Sequence, residues 1–322
     1  MSHQEIIQKI VLRATEVAKS PYSLAAVGLL ASYSVLSRIN AYLSRRAANN
    51  NCTDKTWDWK KEVVVITGGS SGIGASIVSK LEKKNIKIII LDRNKPPVRP
   101  DQGSNTFFVE CNLAEPGAIA SAAAHIRAEY GHPTVLVNCA GFSNARPLLD
   151  VTEGDLHSVF SVNVIAPIVL SQEFLPAMIE RNHGHIVNIA SMASFTVQAT
   201  NVDYACTKAA VLAFHEGLQQ ELRHLYKAPA VRLSIVHPSY VRTPLVEDLL
   251  RKGNMESVTV EPEDVSGAVI CALYSGYGSQ MVVPPHLTWV ARLRSFPMWM
   301  QEKIRDSMSE LMIEAWNSMP KK

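Results

Sequence analysis

Lys61-Glu62-Val63-Val64-Val65-Ile66, followed by Thr67-Gly68-Gly69-Ser70-Ser71-Gly72-Ile73-Gly74-Ala75, is the stretch on which the fold turns. The first part reads as a continuous apolar strand, the second as a glycine turn, and a helical pattern comes after it. Strand, glycine turn and helix in that order describe a dinucleotide site. Gly68 permits the tight turn, Gly72 lets backbone N–H groups approach a pyrophosphate, and Gly74 allows close helix packing, while the helix N-terminus faces the anion. The spacing is Gly-x-x-x-Gly-x-Gly, so the more familiar Gly-x-Gly-x-x-Gly fingerprint does not apply as written.

Outward from this point, strand patterns fall near 62–67, 86–91, 106–110, 134–138, 185–190, 231–237 and 281–283. Helical patterns fall near 72–83, 115–129, 152–180, 203–226 and 262–274. Alternation of this kind predicts right-handed βαβ units, hence an α/β, Rossmann-type, doubly wound parallel sheet in a single domain. Ligands in such a sheet bind beyond the carboxyl ends of the strands. Gly68, Asp92, Asn138, Ser191 and Pro238 fall at or just after such ends, so they are expected to converge on one cleft. Asp92 can accept both hydroxyls of an adenosine ribose and repels a 2′-phosphate, which favours NAD; Arg93 beside it leaves NADP possible.

Tyr204 is the one tyrosine of nine with a lysine four residues downstream, Lys208. Residues four apart share a helix face, so the ammonium can sit beside the phenol and favour phenolate. Lowering a tyrosine from about 10 by roughly three units takes about 4 kcal/mol. By itself the spacing is weak, since on the order of 0.4 accidental hits are expected among nine tyrosines. Singly, Ser191 reads as a strand-end serine and Asn163 as a helix-bend residue. Ser194, ten residues before Tyr204, competes with Ser191 and is expected at the cleft entrance.

With these residues together, the chain resembles the short-chain dehydrogenase/reductase family over about residues 60 to 285. The family's Thr-Gly-x-x-x-Gly-x-Gly is matched from Thr67 to Gly74, which places Gly68, Ser70, Ser71, Gly72, Ile73 and Gly74 at the cofactor. Its Asn-Asn-Ala-Gly element appears as Asn138-Cys139-Ala140-Gly141, with Cys139 replacing the second asparagine. Asn112 stands where the family usually has an aspartate beside the adenine. The Pro-Gly element reads Pro238-Ser239, followed by Val241, Arg242 and Thr243, with Thr243 matching the residue that contacts the carboxamide. Asn163, Ser191, Tyr204 and Lys208 match the catalytic tetrad. The resemblance implies that Tyr204 is the general base in alcohol oxidation and the acid in the reverse. Lys208 would lower its pKa and hold the nicotinamide ribose, Ser191 would hydrogen-bond the reacting oxygen, and Asn163 would support a water relay.

Composition agrees. A chain of 322 residues, 47% hydrophobic and 19% charged, has ample material for one large domain with extensions. A net charge of +3 argues against a nucleic-acid partner. The five cysteines lack a Cys-x-x-Cys pair and the histidines lack ligand spacing, so no metal and no disulfide framework are expected.

The predicted organisation is a polar N-terminal segment (1–19), a hydrophobic membrane anchor (20–37), a linker (38–60), the dinucleotide-binding catalytic domain (61–285) and an amphipathic C-terminal extension (286–322). Residues 20–37 carry no charge, and as a helix they span about 27 Å, just short of a hydrocarbon core of roughly 30 Å. The charged residues Glu5, Lys9, Arg13, Glu16 and Lys19 before it disfavour a secretory signal. The extension, with Leu287, Trp289, Val290, Leu293, Phe296, Met298, Trp299 and Met300 among Arg292 and Arg294, is open to three readings: covering the cleft, lying at a membrane interface, or packing on the core. Anchor and extension together resemble the membrane-bound branch of the family that includes retinol and hydroxysteroid dehydrogenases. That implies a lipophilic alcohol or ketone substrate (retinoid, steroid or long-chain lipid), a homodimer, and an endoplasmic reticulum or lipid droplet membrane with the catalytic domain facing the cytosol. An NADPH-dependent carbonyl reductase of a lipid or polyketide ketone and a noncatalytic membrane-associated scaffold are the alternatives.

Overall fold

Val63–Thr67 forms β1 with all five residues buried, as a continuous apolar run requires when both faces of a strand are covered. The computed structural model describes residues 20–97, 104–243 and 259–317. The N-terminal polar segment 1–19 and most of the loop after Tyr240 lie outside the described residues. The chain divides into two units, Met1–Asn51 and Cys52–Lys322.

In the larger unit β1 is followed by α2 (Gly72–Glu82), β2 (Lys87–Asp92), β3 (Thr106–Glu110), α3 (Ala118–Tyr130) and β4 (Val135–Asn138). Then come α4 (Glu153–Phe160), α5 (Ala166–Arg181), β5 (Gly184–Ile189), α6 (Val202–His224) and β6 (Val231–Pro238). Two short strands, β7 (Tyr240–Val241) and β8 (Thr259–Val260), precede α7 (Pro262–Ser275), β9 (Gln280–Val283) and α8 (Met298–Asn317). Seven strands make one parallel sheet in the order β3-β2-β1-β4-β5-β6-β9, and β7 pairs with β8. The order reverses between β1 and β4, which opens the ligand crevice at their carboxyl ends.

Successive strand residues point to opposite faces, and the core divides accordingly. Val65, Ile89, Leu136 and Ile186 pack under α3 and α5 through Ile126, Leu170 and Phe174. Val64, Ile88, Val137 and Val236 pack under α2 and α7 through Ile77, Leu81, Val265 and Val269. The helix expected over 152–180 is interrupted: Ser161–Ile165 adopts a π-turn between α4 and α5.

The predicted linker is not one kind of structure. In the smaller unit the helix α1 runs from Pro21 to Ala48, past the bound drawn at residue 37, and ends at Asn49. A charge-free window measures suitability for lipid, whereas Arg38, Arg45 and Arg46 are good helix formers that carry the helix onward. Its 28 residues span about 42 Å, and 0% of its most apolar stretch of 18 is buried. Residues 52–62, in the other unit, are fastened to the base of the sheet. Arg232 donates to the Cys52 carbonyl at 2.8 Å. His183 pairs through Nδ1 with Asp54 (2.7 Å) and through Nε2 with Glu62 (3.2 Å). Both carboxylates raise the imidazole above its ordinary value, Glu62 foremost, against a smaller opposing effect of burial.

Candidate active site

Ser191 follows the end of β5, where the chain turns into a short 3-10 segment, Met192–Ser194. Its Oγ accepts from the Ala193 N–H at 3.1 Å, which fixes the side chain at the head of the turn. Tyr204 and Lys208 stand one helical turn apart near the start of α6, and the Lys208 ammonium lies 5.5 Å from the Tyr204 ring centroid. Lys208 Nζ donates to the Ile189 carbonyl at 2.9 Å. Burial pushes the Tyr204 phenol up to about 12, with the Ser191 hydroxyl pulling the other way. Burial likewise brings Lys208 down to about 8. The i, i+4 spacing does place the two side by side. The protein's own groups nevertheless keep the phenol protonated, because desolvation outweighs the reach of an ammonium already engaged by a carbonyl.

Asn163 sits in the π-turn, 1% exposed, with its carboxamide making three hydrogen bonds. Oδ1 accepts from the Phe142 N–H at 3.0 Å, and Nδ2 donates to the Phe142 carbonyl (2.9 Å) and to Thr207 Oγ1 (3.0 Å). Thr207 in turn donates to the Tyr204 carbonyl at 2.7 Å. The extra residue of a π-turn aims Asn163 across the helix at the loop after β4, which a regular helix would not do. Gly141 lies in the same corner: a Cβ there would come within 3.2 Å of Asn163 Oδ1 and 3.4 Å of Lys208 Nζ.

Ser191, Tyr204 and Lys208 open together onto a cavity of about 730 Å³, with Ile73, Gly141, Pro238, Val241 and Thr243 also in its wall. Asp92 is beside the glycine turn, its carboxylate accepting from the Ser70 N–H (3.1 Å) and the Asn94 N–H (3.0 Å). Ser70 Oγ donates to the Asn94 carbonyl at 2.6 Å. Asn138 is turned inward, donating to Asn188 Oδ1 at 2.8 Å between β4 and β5. Ala140 supports Gly68 from below and is itself held by Thr67. Arg93 and Asn112 border a second, shallower depression beside β3 and α3.

Ser194 departs from the expectation of a place at the entrance. It is 1% exposed and donates to the Lys208 carbonyl at 2.9 Å, so it staples the 3-10 turn to α6. The three readings of the C-terminal extension are also decided in part. Leu287, Trp289, Ile304, Met308 and Met312 line the cavity together with Lys303 and Ser307, and Val290 and Leu293 are buried.

Two supporting residues escaped the sequence. Thr67 Oγ1 accepts from the Cys139 and Ala140 N–H groups, both at 3.0 Å, tying the end of β1 to the end of β4. His237 lies behind Ser191: Nδ1 donates to the Ser191 carbonyl at 3.1 Å, and Nε2 faces the Gln280 amide at 3.3 Å. Burial brings this imidazole down to about 4, so it is neutral with its proton on Nδ1. Its place next to Pro238 is the one signal that was available.

The residues present fit a dinucleotide. Ser71 at the head of α2 makes no side-chain capping bond, which leaves first-turn N–H groups facing the crevice over a glycine turn. Gly72 faces Thr243 so closely that a Cβ would come within 3.0 Å of its methyl group.

Residues 62–254 match the family described as short chain dehydrogenase. The chain is 42% identical over 205 residues to "Dehydrogenase RED2" of Cochliobolus heterostrophus, covering 62% of this chain and 76% of that one. It is 32% identical over 212 residues to "Estradiol 17-beta-dehydrogenase 11" of Mus musculus, covering 63% and 69%. Among solved structures, a metagenomic short-chain oxidoreductase in complex with NADP matches with a TM-score of 0.58 at 29% identity, over 70% of this chain and 97% of the other. The chain belongs to the short-chain dehydrogenase/reductase family. It is an oxidoreductase of the alcohol/carbonyl type that works with a nicotinamide dinucleotide.

Proposed function

We propose that this enzyme interconverts a lipophilic alcohol and the corresponding carbonyl compound, with Tyr204 as general acid/base and NAD as its preferred cofactor. One observation carries the reading: Ser191, Tyr204 and Lys208 share a cavity that is also lined by Leu287, Trp289, Val290, Met308 and Met312. These side chains desolvate an apolar substrate and favour it over a small hydrophilic one.

When bound, the nicotinamide accepts or supplies the hydride. The residues of the chain handle the oxygen. In carbonyl reduction the protonated Tyr204 donates to the developing alkoxide, and in oxidation its conjugate base takes the hydroxyl proton. Ser191 Oγ hydrogen-bonds the reacting oxygen. Lys208 holds positive charge beside the phenol, and Asn163 keeps Phe142 and Tyr204 in fixed relation through Thr207. First-turn amides of α2 would hold the pyrophosphate, and Asp92 the adenosine ribose. Screening the purified full chain with long-chain alcohols, retinoids and steroids, each with both cofactors, tests the whole reading. Turnover confined to small hydrophilic substrates would overturn it.

Asp92 decides the cofactor. Each of its carboxylate oxygens already accepts one N–H and keeps a lone pair for a ribose hydroxyl, while its charge repels a 2′-phosphate. Asp92→Ser is expected to weaken NAD and improve NADP by roughly tenfold each, read as dissociation constants by titration. Equal affinity of the unmutated enzyme for both would remove the basis for an NAD preference. The NADPH reading has the exposed Arg93 on its side.

Helix α1 is the membrane anchor in this reading, since exposed Leu29, Leu30, Tyr33 and Leu36 have no reason to face water together. The basic residues after the uncharged segment (Arg38, Arg45, Arg46, Lys55) outnumber those before it (Lys9, Arg13, Lys19) by one, which orients the catalytic unit to the cytosol. Asn51-Cys52-Thr53 is an N-glycosylation pattern on the catalytic side, and Asn51 is exposed, so it reports topology directly. The protein is expected to resist alkaline carbonate and to show no glycosidase-sensitive mass. A shift abolished by Asn51→Gln would put the domain in the lumen.

A further inference from the structure

Thr196 and Gln198 lie in the cavity wall, 3% and 7% exposed, and the reaction uses neither. Thr196 Oγ1 is buried with no hydrogen-bond partner among the described residues, and the Gln198 carboxamide makes no hydrogen bond among them either. Buried polar groups are almost always paired, so an unpaired buried Thr196 hydroxyl, next to a Gln198 carboxamide left unbonded in the same cavity wall, calls for a cause. Mobility is not the cause, because the stretch is tied down on both sides. The Thr196 N–H donates to the Met192 carbonyl at 3.2 Å. The Ala199 N–H donates to Ser309 Oγ of α8 at 3.0 Å, and Arg294 donates to the carbonyls of Phe195 (3.2 Å) and Ser194 (3.4 Å).

We propose that Thr196 and Gln198 form a second polar subsite that binds another oxygen of the substrate, separate from the oxygen that reacts at Tyr204. A hydroxyl and a carboxamide each donate and accept, so the pair suits a neutral hydroxyl or carbonyl. The substrate class narrows to lipophilic diols, hydroxyketones or diketones. This assignment rests on the cavity being the substrate site, and it names what that substrate must carry.

The test measures binding rather than turnover. Trp289 is the one of the five tryptophans that lines the cavity, so ligand entry into the full chain is read as the change in tryptophan fluorescence that Trp289→Phe removes. The probes are matched pairs: a steroid diol with the corresponding monool, and a long-chain α,ω-diol with the corresponding primary alcohol. In at least one pair the diol is expected to bind roughly tenfold tighter, the effect of one or two buried hydrogen bonds. In Thr196→Val/Gln198→Leu that ratio is expected to fall below about twofold, and Thr196→Ser to keep more of it than Thr196→Val. The single variants decide the matter should the double variant fail to fold. Equal binding of both members in every pair, or variants that weaken both members alike, would overturn the subsite. A protein that prefers the diol and keeps its turnover in Tyr204→Phe would overturn the role of Tyr204 and leave the subsite standing.

Discussion

Tyr204→Phe is expected to lower kcat by roughly 10²- to 10⁴-fold with any substrate the enzyme accepts, and to leave dinucleotide affinity within about twofold. Phenylalanine keeps the ring that packs beside Lys208 and removes only the O–H. The proton that must reach or leave the substrate oxygen then has no side chain to carry it. Lys208→Ala is expected to damage both turnover and dinucleotide binding, because Lys208 also braces the corner of Ile189 and Gly141. Steady-state kinetics and cofactor titration on the same preparations separate the two. More than a tenth of wild-type turnover in Tyr204→Phe would sink the general acid/base assignment.

How much of this was legible in the sequence follows from what each pattern physically reports. The strands were plain because Val63 to Ile66 and Ile88 to Leu91 are buried on both faces, and only continuous apolar runs satisfy that. That Ser191 and Pro238 meet in one cavity followed from strand ends alone. The π-turn at Asn163 was hidden, since apolar periodicity over 152–180 barely changes when one residue is added to a single turn. Ser194 was misplaced because a serine next to a site reads the same whether it faces solvent or bonds a carbonyl. An amphipathic tail announces that one face is buried and not what it is buried against, so the cavity wall from Leu287 to Met312 needed the tertiary structure. The protonated state of Tyr204 was equally out of reach: spacing places a charge nearby, while desolvation depends on everything packed around it.

Two glycines in helices are expected to respond to alanine in opposite directions. Helix propensity alone favours alanine over glycine by about 1 kcal/mol at either position. Gly217 lies exposed in α6 with nothing within 4 Å of an added Cβ, so Gly217→Ala is expected to stabilise by up to about 1 kcal/mol. At Gly74, in the first turn of α2, the same Cβ would stand 2.2 Å from the Gly68 carbonyl oxygen and 3.0 Å from the Gly69 Cα. Both neighbours are backbone, and neither can yield. Gly68 holds a left-handed φ of 66° against Ala140, whose Cα lies 2.9 Å from where its own Cβ would be. Relief would therefore have to come from moving α2 off the turn, opening the packing of Ile77 and Leu81 on β1 and spoiling the first-turn amides for a pyrophosphate. Gly74→Ala is expected to cost at least about 3 kcal/mol and most of the dinucleotide affinity. Thermal unfolding of the full chain followed by circular dichroism, with and without dinucleotide, measures both. A Gly74→Ala protein as stable as wild type, with its dinucleotide stabilisation intact, would show that the close turn is not what seats the cofactor.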